Sequence, residues 1–183
     1  MVRGAGQLIR ERGIHGVGMR QVVAFTRTPR GSLQRYFPGG KAQLTAEAVL
    51  LATEEFPSGF PAAMQADSLP AAVALTLAPW RRQLLSSDFT TGCPLMPIVV
   101  DGVDDDRLRA IAADAFTSWT RRATEMFERF GFSGNAAEST ALAFVGATEG
   151  AILLSRSRRD LVAIDAVEST FGSLPAPGRR GGR

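Results

Sequence analysis

Apolar residues recur along this chain at helical spacing, and glycine or proline interrupts the pattern at intervals that each fit one helix. Strand signals are weak, because alternation is rare and β-branched runs such as Ile98-Val99-Val100 are short. The expected fold is all-α, with about nine helices. The first is predicted over Val2–Arg12, with Ala5, Leu8 and Ile9 on one face and Gly13 as its stop. A short helix over Met19–Phe25 is followed by the turn Thr26-Arg27. Thr28-Pro29 reads as an N-cap and first-turn proline for a helix over Pro29–Phe37 that buries Leu33 and Phe37. Pro38-Gly39-Gly40 ends that helix, and a fourth is predicted over Lys41–Phe56 with Leu44, Ala48 and Leu51 inward. Residues 57–68 read as loop. Further helices are predicted over Leu69–Ser86, Cys93–Asp101, Asp104–Phe130, Asn135–Arg156 and Leu161–Phe171. Asp104, Asp105 and Asp106 suit a helix start, because acids are favoured at the positive N-terminal end. Residues 174–183 form a Gly/Pro/Arg tail that is expected to be disordered.

Charge is unevenly spread. Arg3, Arg10, Arg12, Arg20, Arg27, Arg30, Arg35 and Lys41 stand against one acid, Glu11, in the first 41 residues. Of 21 bases and 18 acids in all, the rest of the chain therefore holds an excess of acids. A basic head on a mildly acidic body suits a polyanion bound by the head alone, although a solvated surface would have the same composition.

Two short helices joined by a tight turn, behind a third, are the layout of a helix-turn-helix reader of DNA. The second of the pair carries Arg30, Ser32, Gln34, Arg35 and Tyr36 between the core positions Leu33 and Phe37. Arginine can grip a guanine edge in two places and glutamine an adenine edge, while Ser, Tyr and Lys reach phosphates. Gly31 allows close approach to a duplex, and Gly40-Lys41 offers a helix N-terminus plus an ammonium. Arg20, on the preceding helix, joins them as a candidate contact.

Residues 5–51 resemble the DNA-binding domain of the TetR family of repressors, chiefly through the stretch PRGSLQRYFPGGK at 29–41. The resemblance rests on Arg30, Gly31 and Ser32 at the start of the recognition helix, Tyr36-Phe37 at its end, and Lys41 opening the fourth helix. It implies that Arg30 and Ser32 touch bases or nearby phosphates and that Tyr36 and Lys41 clamp the backbone. Two positions depart from the family pattern: Arg27 stands where glycine is usual and Gln34 where an aromatic is usual. The turn at Arg27 is expected either to adopt a left-handed backbone or to differ in shape. The basic arm that many relatives carry before the first helix is not part of this sequence, and a true start further upstream would account for that. Pro38-Gly39-Gly40-Lys41 together with Gly92-Cys93-Pro94 is similar to the LmrA/YxaF-like branch, whose members answer aromatic or drug-like compounds. The domains expected are a reader over 1–40, packed on helix 41–56, and a helical ligand-binding and dimerisation domain over 41–173.

Ala143, Gly146, Ala147 and Gly150 form a face of small residues that lets another helix approach closely. With Leu154, and with Ile164, Val167 and Phe171 on the last helix, they are candidates for a homodimer interface. A dimer would present two readers to a palindromic operator on double-stranded DNA. Met64, Trp80, Phe89, Met96, Phe116, Trp119 and Phe144 are candidates for a pocket holding a small-molecule effector, and ordinary core packing would use the same residue types. Glu149 is open to three readings, as anchor of a cationic ligand, partner of an arginine across a dimer, or solvated carboxylate.

No cofactor or catalytic function is expected. His15 is the only histidine, so a metal cluster or proton relay lacks a second one, and Cys93 has no base near it in sequence. Gly39-Gly40-Lys41 falls short of a phosphate-binding loop, which needs glycine at Arg35 and Ser or Thr at Ala42. The longest apolar run, Ala141–Leu154, carries Glu149 and is too short to span a membrane. With a single cysteine and no apolar leader, a cytoplasmic protein is expected. A ligand-binding or partner-binding module of the same fold, without specific DNA binding, is the alternative reading.

Overall fold

The computed structural model describes residues 1–29, 31–55, 58–102 and 104–175. Among them are ten helical segments and no strand: α1 (Val2–Arg12), α2 (Met19–Thr26), α3 (Gly31–Tyr36), α4 (Gly40–Glu55), α5 (Phe60–Ala63), α6 (Leu69–Ser86), α7 (Met96–Asp101), α8 (Asp106–Arg129), α9 (Gly134–Arg158) and α10 (Val162–Gly172). Arg30, Phe56 and the tail from 176 lie outside the described residues. The chain divides into two compact units, one built from Met1–Phe56 with Thr91–Ala115, the other from Pro57–Thr90 with Phe116–Arg183.

In the first unit, α1 lies on α4. Ala5, Leu8 and Ile9 are buried opposite Leu44, Ala48 and Val49, and a Cβ on Gly6 would meet the Ala48 carbonyl at 3.5 Å. The predicted stop at Gly13 holds, with φ at 76°. Helix α2 starts from an extended Gly18, whose N–H donates to the Gln21 side chain at 2.8 Å. The third helix is shorter than its pattern suggested. Pro29 and Phe37 flank it, with the Ser32 N–H donating to the Pro29 carbonyl, and Leu33 is only half-buried. Helix α7 returns to this unit, where the Asp101 carboxylate accepts the Ile14 N–H at 2.8 Å and the Asp101 carbonyl lies 3.1 Å from His15 Nε2. Arg10 Nε likewise donates to the Gly92 carbonyl at 2.8 Å.

In the second unit, α6 packs against α5, α9 and α10. The segment predicted as loop contains the single turn α5. Gly59 permits it, since a Cβ there would stand 2.6 Å from the Leu75 carbonyl oxygen, and Phe60 and Ala63 fill the contact. Helix α6 spans its predicted range, and it opens with Ser68 Oγ accepting the Ala71 N–H and Pro70 in the first turn. The core is aromatic: Phe127 stacks edge-on against Phe132 and Phe144, and Phe144 against Phe171, with ring centres 5.2–5.8 Å apart. Arg81 ties α6 to α10 through Asp165 at 2.5 Å and Glu168 at 2.6 Å. Burial disfavours its charge, but the two carboxylates outweigh that and raise its pKa.

Candidate nucleic-acid interface

The short helices α2 and α3 meet at a turn that the backbone makes through Arg27, at φ 51° and ψ 36°. This is the left-handed conformation, which costs a residue with a Cβ about 1–2 kcal/mol. The turn is held locally: Thr26 Oγ1 donates to the Val22 carbonyl at 2.8 Å and lies 2.7 Å from Thr28 Oγ1. Arg27 therefore adopts a left-handed backbone of the kind that glycine takes without strain.

Arg20, Gln34, Arg35 and Tyr36 are exposed side chains on this pair of helices, and Gly31 is exposed with open space where a Cβ would stand. Tyr36 is 61 % exposed, and the Arg35 guanidinium sits 5.6 Å from its ring centre. Ser32 is half-buried. Lys41 is half-buried in the first turn of α4, beside a crevice of about 10 Å³ between α1, α2 and α4 that has room for a single water. Arg20 and Gln34 share an open groove with Val23, Ala24, Arg27, Thr28, Pro29 and Leu33, about 680 Å³ in volume. Glu11 on α1 and Glu47 on α4 are the only acids before Glu54, so α2 and α3 carry no acidic side chain.

Gln43 also belongs to this surface, although residue pattern alone does not single it out. Its Oε1 accepts the Gly39 N–H at 2.9 Å, while its Nε2 donates to the Tyr36 carbonyl at 3.3 Å and to Glu47 at 2.8 Å. One amide thus fixes the end of α3, the Pro-Gly-Gly turn and the start of α4 to one another. A glutamine one turn into a helix that follows such a turn is the only sequence signal for it, and that signal is weak.

The residues proposed for a pocket fall into separate groups. Trp80, Phe116 and Trp119 form an edge-to-face cluster in the second unit, with ring centres 5.5 and 6.3 Å apart, and both tryptophans are buried. Phe144 belongs to the Phe127 core, while Met64 and Phe89 are half-buried elsewhere in the same unit. Phe89 has a positive φ of 60° in the turn after α6. Met96 lies in the first unit. Of the residues proposed for a dimer interface, Ala143, Gly146, Gly150 and Leu154 are exposed on α9 and Ala147 is half-buried. Leu142 and Leu153, at 64 % and 53 % exposure, extend the same stripe. Ile164 and Val167 are instead buried among the chain's own side chains, and the half-buried Phe171 packs on Phe144. Glu149 is half-buried on α9. This helix is also the one among the described residues that is long and apolar enough to cross a membrane, by length and composition only.

Residues 2–48 match the family model for bacterial regulatory proteins of the tetR family, and residues 70–170 match the C-terminal domain of LmrA/YxaF-like transcriptional regulators. The chain is 38 % identical over 182 residues to an uncharacterized HTH-type transcriptional regulator of Mycobacterium tuberculosis, covering 95 % of this chain and 91 % of that protein. It is 26 % identical over 172 residues to the HTH-type transcriptional regulator LmrA of Bacillus subtilis, covering 93 % and 92 %. Its fold is similar to that of regulatory protein TetR from Rhodobacter sphaeroides, with a TM-score of 0.84 at 22 % identity over 93 % of this chain and 94 % of that one. A TetR transcriptional regulator from Legionella pneumophila gives 0.83 at 16 % identity, covering 93 % and 92 %.

Proposed function

The chain belongs to the TetR family of DNA-binding transcriptional regulators, in its LmrA/YxaF-like branch, and we propose that it is a repressor that binds a palindromic operator as a homodimer and is released by a small aromatic or drug-like effector. The observation that carries this reading is the exposed row Arg20, Gln34, Arg35 and Tyr36. These side chains complete no core and face solvent without an acid among them, which suits phosphates and base edges. Arg30, which precedes α3 in the sequence, and Ser32 in the first turn of α3 are proposed to read bases, and Lys41 to clamp a phosphate. The turn at Arg27 supports an intact reader over a module that has lost specific DNA binding.

The proposed dimer is centred on α9. Leu142, Ala143, Gly146, Gly150, Leu153 and Leu154 follow one another at helical spacing, and a Cβ on Gly146 or Gly150 would meet nothing within 4 Å. A second copy of the helix can therefore approach closely there, and Val162, exposed at the start of α10, widens the apolar surface. The apolar character of α9 then belongs to a subunit interface, in keeping with a protein that works in the cytoplasm beside DNA. The Trp80–Phe116–Trp119 cluster is the proposed heart of the effector site, because flat ligands stack on such rings. An effector that favours one arrangement of the dimer shifts its population away from the DNA-bound form, and bound DNA must weaken the effector by the same factor.

Fluorescence anisotropy with the DNA flanking the chain's own gene, beside a scrambled duplex, tests the reading at two salt concentrations. Preference for the flanking DNA with a steep salt slope is expected. Aromatic compounds that quench tryptophan fluorescence should also release the DNA. Equal weak binding to both duplexes would favour the ligand-binding module.

A further inference from the structure

Two helices in this protein end on an arginine in the left-handed conformation, α2 at Arg27 and α9 at Arg159. Any residue with a Cβ is strained there, whereas glycine is not. The two arginines differ in what they gain. Arg159 forms an ion pair with Asp88. Arg27 is exposed, and among the described residues its guanidinium makes no hydrogen bond or ion pair. It lines the groove of about 680 Å³ with Arg20, Thr28 and Gln34. A strained backbone that persists without an internal gain points to an external one.

The groove itself indicates what that partner is. Among the described residues two guanidiniums border it and no carboxylate does, and Thr28 and Gln34 add neutral hydrogen-bonding groups. The side chains of Val23, Ala24 and Leu33, which also line it, offer no competing acceptor. This chemistry fits a phosphodiester, held by charge and by the forked donors of arginine. Resting on the proposed reader, we infer that Arg27 is a further DNA contact, gripping a backbone phosphate in the groove that it shares with Arg20. Arg27 positions the reader on the duplex and carries no base preference of its own.

Because strain and contact reside in one residue, removing it moves stability and affinity in opposite directions. Arg27→Gly is expected to raise the thermal midpoint by about 2 °C. The same variant should bind a mixed-sequence DNA duplex about tenfold more weakly at low salt, with the salt slope shallower by about one. Arg27→Lys keeps the charge and should retain most of the slope. Inorganic phosphate, added at constant ionic strength, should leave the difference between wild type and Arg27→Gly intact. If it abolishes the difference, the groove holds free phosphate and the inference falls. It falls equally if Arg27→Gly binds like wild type while Lys41→Ala binds weakly, or if the glycine variant melts at a lower temperature. A wild-type protein that binds no duplex would overturn the reader itself, and this inference with it.

Discussion

Replacing Gly13 by alanine should destabilise the first unit by about 2.5–5 kcal/mol, from two separable contributions. Gly13 has φ 76° and ψ 168°, a backbone region that glycine alone occupies freely, so a methyl group there costs about 1–3 kcal/mol. The new Cβ would also stand 2.4 Å from Asp101 Oδ2. The carboxylate must then move, and it is the acceptor for the Ile14 N–H at 2.8 Å. Losing a hydrogen bond to a charged acceptor removes about 1.5–3 kcal/mol, toward the lower end here because Asp101 is only half-buried. Urea denaturation followed by circular dichroism measures the sum, and a cycle with Asp101→Ala separates its parts. In the Asp101→Ala background the clash and the bond are both gone, so Gly13→Ala should cost only its backbone share, with a coupling of about 1.5–2 kcal/mol between the sites. A cost below about 1 kcal/mol, or equal costs in both backgrounds, would refute the reasoning.

Gln43→Ala should lower DNA affinity while removing only about 1 kcal/mol of stability, because the bonds it loses are exposed or half-exposed. Gln43→Glu should not rescue the affinity, since a carboxylate cannot donate to Tyr36 or Glu47; anisotropy on both variants checks this. Gly146→Gln should raise the helicity and stability of the subunit slightly, by about 0.5–1 kcal/mol, yet dissociate the proposed dimer. Sedimentation that still shows a dimer would move the interface elsewhere. Phe144→Ala should cost about 3–5 kcal/mol in denaturant, since the ring is 1 % exposed and packs edge-on against Phe127 and Phe171.

Helices with strong local punctuation are legible in the sequence itself. Helix α1 begins and ends where Gly13 and its apolar face indicate, and α6 spans its predicted range Leu69–Ser86. The turn α5 escapes such reading because it depends on Gly59 meeting the backbone of α6, a contact that no local pattern encodes. Periodicity also marks an apolar face without saying what covers it. Ile164 and Val167 are spaced like an interface row, yet their own unit buries them, while Leu142 and Leu153 on α9 stay exposed. The exposed side chains of α2 and α3 are readable from residue type, because nothing buries them. Gln43 is not, since its role exists only once the turn at Gly39 folds back on it.

The first compact unit draws on two separated stretches, and this limits how such a reader can be exchanged between proteins. A chimera cut after residue 56 would carry α1 to α4 but leave behind the Gly92 carbonyl that receives Arg10 and the Asp101 carboxylate that holds Ile14. The transplanted part would lack its own buttress, and a foreign body would have to supply one of matching shape. Swaps that keep 91–115 with the N-terminal segment preserve those bonds. For a lineage that shuffles sensors and readers, the unit of inheritance is then a pair of segments, and a single crossover near residue 56 separates residues that fold together.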